Sequence, residues 1–170
     1  MIHALRPIVF ALALSAINFS SFAQAGMLDP SFNGDGIVTM DVIGPGDQCR
    51  GVAVQPDGKV IAVGFGFGTG PDIFLVRYNV DGSPDATFDG DGIVTVGFSV
   101  IDQANAVLVQ PDGRIVVTGA TVDVNNAADV LLMRFNTDGS PDATFGGGDG
   151  AVITDLGPAN AFGLDRKSVV

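Results

Sequence analysis

The chain has 170 residues, 46% of them hydrophobic, with 24 Gly, 9 Pro, one Cys, one His and a formal charge of −11 at pH 7. Every acidic residue is Asp and no Glu occurs, a choice that disfavours helices and suits tight turns. The acidity excludes a nucleic-acid binder, because phosphate recognition needs a basic stripe and the eight Lys and Arg do not form one.

Residues 1–25 read as a signal peptide. Arg6 precedes an apolar run over residues 8–19, and Ala23, Gln24 and Ala25 form a small-residue cleavage site. The apolar run is too short for a membrane span. The expectation is therefore an exported protein, periplasmic or extracellular, that begins near Gly26 and has no membrane span in its mature chain. Cys49 is the single cysteine, so the fold cannot rest on disulfides.

After the signal the chain repeats itself. The phrase Asp29-Pro30-Ser31-Phe32-Asn33-Gly34-Asp35-Gly36-Ile37-Val38-Thr39 returns 56 residues later from Asp85, and Asp142-Ala143-Thr144-Phe145 begins it again after 57 more. The division expected is repeat 1 over 27–84, repeat 2 over 85–141, a partial repeat 3 over 142–165 and a divergent tail over 166–170. Within repeat 1, residues 37–40, 51–55, 59–64 and 72–78 are short runs rich in β-branched residues. They recur as 93–96, 106–110, 114–119 and 129–135, and 151–154 opens a third set.

Gln55-Pro56-Asp57-Gly58-Lys59 and Gln110-Pro111-Asp112-Gly113-Arg114 predict hairpins between the second and third runs, with Pro presetting φ and Gly taking the left-handed position. Residues 64–71 and 119–126 read as loops, and their divergence makes them the expected variable surface. Residues 60–63 and 73–76 are apolar at consecutive positions, so both faces of those strands should be covered. The fold class expected is all-β: repeated four-stranded antiparallel blades in a partial β-propeller. The alternative is a β-solenoid-like array, whose rungs are shorter than this period. Two units and part of a third do not close a ring, which predicts further repeats in a full-length protein. A single repeat is too small to cover both sheet faces, so stability should come from neighbours.

The phrases Leu28-Asp29-Pro30-Ser31-Phe32, Val54-Gln55-Pro56-Asp57-Gly58-Lys59 and Arg77-Tyr78-Asn79-Val80-Asp81-Gly82-Ser83 resemble the delta-60 repeat family over residues 27–157. The resemblance implies an exported bacterial protein with β-propeller-like domains, and it brings no catalytic residues.

Without His3 the mature chain has neither His nor Glu. Ser-His-Asp and Cys-His catalysis, histidine zinc sites and Glu-based glycoside hydrolysis are therefore unavailable, and the chain is expected not to be an enzyme. No cofactor is implied. Calcium is the one metal considered, with Asp89, Asp91, Asp35 and Asp149 as candidate ligands amid Gly-rich backbone. The competing reading is that these Asp residues accept backbone N–H bonds and fix turns.

Arg77 and Arg134 recur at the end of the fourth run. Each needs a carboxylate partner if covered, expected from a Gly-Asp-Gly or Asp-Gly-Ser turn in a blade-to-blade pair. Phe32, Phe88 and Phe145 read as core plugs. No Trp and one Tyr give carbohydrate binding no support. The functional expectation is a non-catalytic exported module, a binding or structural scaffold for an unidentified protein or cell-surface partner. The alternative is a calcium-stabilised module of a larger extracellular enzyme or adhesin whose active part lies outside this chain.

Overall fold

A computed structural model describes residues 26–68, 73–122, 128–155 and 157, and among them are eight strands and no helix. The expected signal peptide, the end of repeat 3 and the divergent tail lie outside these residues. Among the described residues no helix is long and apolar enough to cross a membrane.

The first sheet contains β1 (Gln48–Val54), β2 (Val60–Phe65), β3 (Ile73–Tyr78) and β4 (Ile93–Val96), paired antiparallel in that order. The second contains β5 (Ile101–Val109), β6 (Ile115–Val122), β7 (Ala128–Phe135) and β8 (Ala151–Thr154) in the same order. These are two four-stranded antiparallel blades, as the repeat predicts. The sheets are not closed into a ring.

The hairpins form where the Pro-Asp-Gly signals place them. Gln55 N donates to Lys59 O at 2.8 Å and Gln110 N to Arg114 O at 2.8 Å. Asp57 and Asp112 then accept the Lys59 and Arg114 amides at 3.1 Å each. Both first strands carry a register shift at the same place, Cys49/Gly51 and Ala104/Ala106, a bulge that increases local twist.

Two expectations are corrected. Residues 93–96 are the outer strand of the blade before them, so the sequence repeat and the blade are out of phase by one strand. The corresponding residues 37–40, expected as a strand, join no sheet. The loops are also shorter than expected. β2 extends to Phe65, and β6 runs to Val122 because Thr121 and Val122 continue the ladders with β5 and β7. Of the variable loops, residues 69–71 and 123–126 lie outside the described residues.

A single buried cluster joins Ile61, Val63, Ile73 and Leu75 of the first blade to Ile115, Val117, Leu131 and Met133 of the second. The two sets have opposite parity, because in the repeat Ile73 and Leu75 correspond to Val130 and Leu132. One face of the first blade therefore meets the opposite face of the second, which is how propeller blades stack. Each such aliphatic side chain contributes about 1.5–3 kcal/mol when fully buried, so the interface between blades is a main source of stability.

Candidate functional site

The most elaborate polar arrangement lies at the joint between blades. Asp85 follows β3 by seven residues, and its backbone N donates to Arg77 O at 2.9 Å, which brings the carboxylate back beside the strand. Its Oδ2 accepts from Lys59 Nζ at 2.6 Å and Arg77 Nε at 2.6 Å. Its Oδ1 accepts from Thr87 N at 3.1 Å and Thr87 Oγ1 at 2.7 Å. The Arg77 guanidinium donates to Thr87 Oγ1 at 3.0 Å and lies 4.5 Å from the centre of the Phe88 ring.

The joint then reaches the second blade. Arg77 Nη1 donates to the Thr137 carbonyl, and Asp89 N donates to Asp138 O at 2.8 Å. Gly139, at φ +92°, lies so close that a Cβ there would sit 3.0 Å from the Phe88 ring and from Val94. Only Gly meets both the backbone and the packing requirement. The turn over residues 136–139 thus seals Phe88, which is fully buried.

The second blade repeats the chemistry. Asp142 Oδ2 accepts from Arg134 Nε at 2.7 Å and Arg114 Nε at 3.2 Å, and Arg134 lies over Phe145 at 4.6 Å. Here the Arg134 side chain is 21% exposed against 7% for Arg77. The difference is the absence, among the described residues, of a following turn over Phe145.

Burial pushes the Asp85 carboxyl up, but Lys59, the two Thr87 bonds and Arg77 outweigh it and hold it well below the usual carboxylate range. The two Thr144 bonds, with Arg134, bring Asp142 down to about 2. Both pKa values are lowered by folding, so the unfolded chain takes up protons first and stability is lost as pH falls. Stability should be flat above about pH 5 and decline from the ordinary carboxylate value of 3.8 towards about 2 as Asp142 protonates, with Asp85 holding longest. Urea midpoints measured across that acid range check this, and Asp142→Asn should flatten the upper part of the decline.

The calcium candidates lie in three separate turns, with Asp89 and Asp91 sharing one. Asp35, Asp91 and Asp149 each accept the amide two residues on, at 2.9, 2.8 and 3.0 Å. Asp89 adopts φ +51° and uses its own amide on Asp138. Among the described residues no three or more His, Cys, Asp or Glu side chains group to hold a metal ion. Asp35, Asp91 and Asp149 thus each make the amide bond of the turn-fixing geometry. Cys49 is exposed on β1, its Sγ 3.7 Å from Gly51 O.

The Arg partners correct the expectation. They are Asp85 and Asp142 of the Asp-Ala-Thr-Phe phrase, within the same blade, and not a Gly-Asp-Gly or Asp-Gly-Ser carboxylate. The signal was their fixed spacing of eight residues from Arg77 and Arg134. Also unforeseen are Asp47 and Asp102. Asp47 Oδ2 accepts Val42 N and Ile43 N at 2.6 and 3.2 Å, and Asp102 accepts Phe98 N and Ser99 N. The recurring Asp-Gln pairs at 47–48 and 102–103 were the clue.

Stacked four-stranded blades sealed by a repeated Arg–Asp–Phe joint define a β-propeller-like repeat protein. Residues 55–88 and 110–145 match the family described as a domain of unknown function (DUF5122) beta-propeller. Each match runs from the hairpin Gln through the Arg-bearing strand to the Phe plug, the residues that build the joint. No curated protein matches the chain.

Proposed function

We propose that the chain is a non-catalytic, exported repeat module of the delta-60 type that serves as a binding or structural scaffold. The observation that carries this reading is where the recurring polar groups are spent. Asp85 and Asp142 hold arginines, and Asp35, Asp91 and Asp149 hold their own turns. With no His or Glu after residue 25, these groups build a frame and form no acid–base or nucleophile pair. Export rests on the composition of residues 1–25. The partner is a protein or cell-surface component met by the loops between β2 and β3 and between β6 and β7, where the repeats diverge.

The test replaces residues 66–71 and 123–127 with Gly-Ser segments of equal length. The melting temperature should be unchanged while adsorption to bacterial envelope fractions is lost. Turnover of ester, glycoside or peptide substrates by the pure chain, abolished by an Asp substitution, would overturn the non-catalytic reading.

The alternative, a calcium-stabilised module of a larger extracellular enzyme or adhesin, draws on the acidic Gly-rich turns. A bound ion would stabilise the fold by mass action. We expect no calcium-specific shift in a thermal melt with millimolar calcium, compared with chelator and magnesium. A saturable rise lost in Asp91→Ala would favour the alternative.

A further inference from the structure

One cation of this acidic chain has no carboxylate partner among the described residues. Lys59, Arg77, Arg114 and Arg134 each pair with an Asp, and Arg50 is the exception. It occupies the register shift of β1, between Cys49 and Gly51, where a bulge re-aims a side chain away from the ladder. The Arg50 guanidinium is held in place without an ion pair. It lies 5.3 Å from the centre of the buried Phe65 ring, and its Nη2 donates to Gln48 Oε1 at 2.6 Å. The residue is exposed, and no protein group among the described residues takes its other N–H donors.

An exposed aromatic ring stands on the same Phe65. Phe67, two residues beyond the end of β2, meets Phe65 edge-on with ring centres 5.5 Å apart at 88°, and it is 56% exposed. The floor below is tied down. Asp47 Oδ2 accepts the Val42 and Ile43 amides, and a Cβ on Gly46 would lie 3.7 Å from the Phe67 ring. The second blade lacks the whole set. Asn105, Ala120 and Val122 stand where the first blade has Arg50, Phe65 and Phe67. The Asp caps, hairpins and Arg–Asp pairs recur in both blades, so a blade is built without these three residues.

We propose that Arg50 and Phe67 form a recognition site for an acidic peptide segment of a partner protein, one in which a carboxylate neighbours an aromatic side chain. The proposal rests on the reading of the loops as the partner surface, and it names the chemistry met there. The carboxylate takes the open N–H edge of Arg50 in a charge-assisted pair, and the aromatic side chain packs on the exposed Phe67 ring. Phe65 and Gln48 already order the guanidinium, which lowers the rotamer entropy lost on binding. A single guanidinium beside an aromatic ring suits a single carboxylate. Phosphoryl groups and anionic membranes are held by clusters of cations, whereas Arg50 stands alone in a chain of charge −11.

The probe is the peptide acetyl-Gly-Phe-Asp-Phe-Gly-amide, titrated into the full chain while NMR reads the Arg50 Nε–H resonance and the backbone amides of residues 48–50 and 65–67. Saturable shifts are expected, with a dissociation constant on the order of 1 mM. Asn in place of the peptide's Asp, or Arg50→Gln or Phe67→Ala in the chain, should each weaken binding about tenfold. Both side chains are exposed, so the variants should melt with the parent, and the Asn peptide tests the carboxylate without altering the chain. Equal binding of the Asp and Asn peptides, no saturable shift up to about 10 mM, or tighter binding of inorganic phosphate at Arg50 overturns the proposal. Adsorption to envelope fractions that survives Arg50→Gln but not loop replacement also overturns it, and leaves the reading of the loops as the partner surface standing.

Discussion

Replacing Asp85 with Ala should lower the unfolding free energy by about 3–5 kcal/mol, the cost of stranding a buried charge whose partner is removed. Asp85 is 3% exposed and is the only carboxylate contacting both Lys59 and Arg77 among the described residues. Lys59 can turn to solvent, because its side chain is 26% exposed. Arg77 cannot, since it is held between Phe88 and the Thr137 carbonyl. Against a total stability of about 5–15 kcal/mol for a typical domain, this loss is large enough to shift the urea midpoint strongly. Asp142→Ala provides the internal comparison. Its arginines are 21% and 39% exposed and can be rehydrated, so its effect should be clearly smaller. Equal effects at the two positions would mean that the covering turn adds nothing to the first joint.

Phe88→Ala should cost about 3–5 kcal/mol, the usual range for emptying a buried aromatic site. The cavity cannot collapse easily, because Arg77 lies on one side and the Gly139 turn on the other, each held by its own hydrogen bonds. Phe145, at the same repeat position, is only half-buried, and Phe145→Ala should cost less than half as much. Thermal or urea unfolding of the pair checks the ratio. The comparison isolates what a following blade contributes, because ring, guanidinium and strand are otherwise matched.

The strands and hairpins were readable because their causes are local. β-branched runs, a Pro that presets φ and a Gly at φ +86° or +84° specify the Gln55–Lys59 and Gln110–Arg114 turns without distant residues. The partner of Arg77 was not readable from turn chemistry, since several carboxylates were equally near in sequence. The choice of Asp85 follows from its amide bonding back to Arg77 O, which is a consequence of the chain reversal over residues 79–84. Sheet membership of residues 93–96 was also hidden. A four-residue β-branched run carries no mark saying whether it pairs forward or backward, and only the ladder to β3 decides. The caps Asp47, half-buried, and Asp102, buried, were legible as repetition but not as function, because their bonds go to residues before them.

The one-strand offset between phrase and blade bears on how such a chain can grow. A gene duplication that copies residues 85–141 inserts an outer strand for the blade already present, followed by three strands of a new one. Each copy inherits a finished predecessor and passes on an unfinished edge, so an added unit cannot drift away as an independent bead on a string. A chain cut at residue 84 or 141 with no repeat following would instead lose the outer strand of a blade and expose the β3 or β7 edge. A junction within residues 97–100, between β4 and β5, keeps whole blades intact. The unit that is inherited and the unit that folds are thus interleaved, which couples every insertion or loss to the stability of its neighbour.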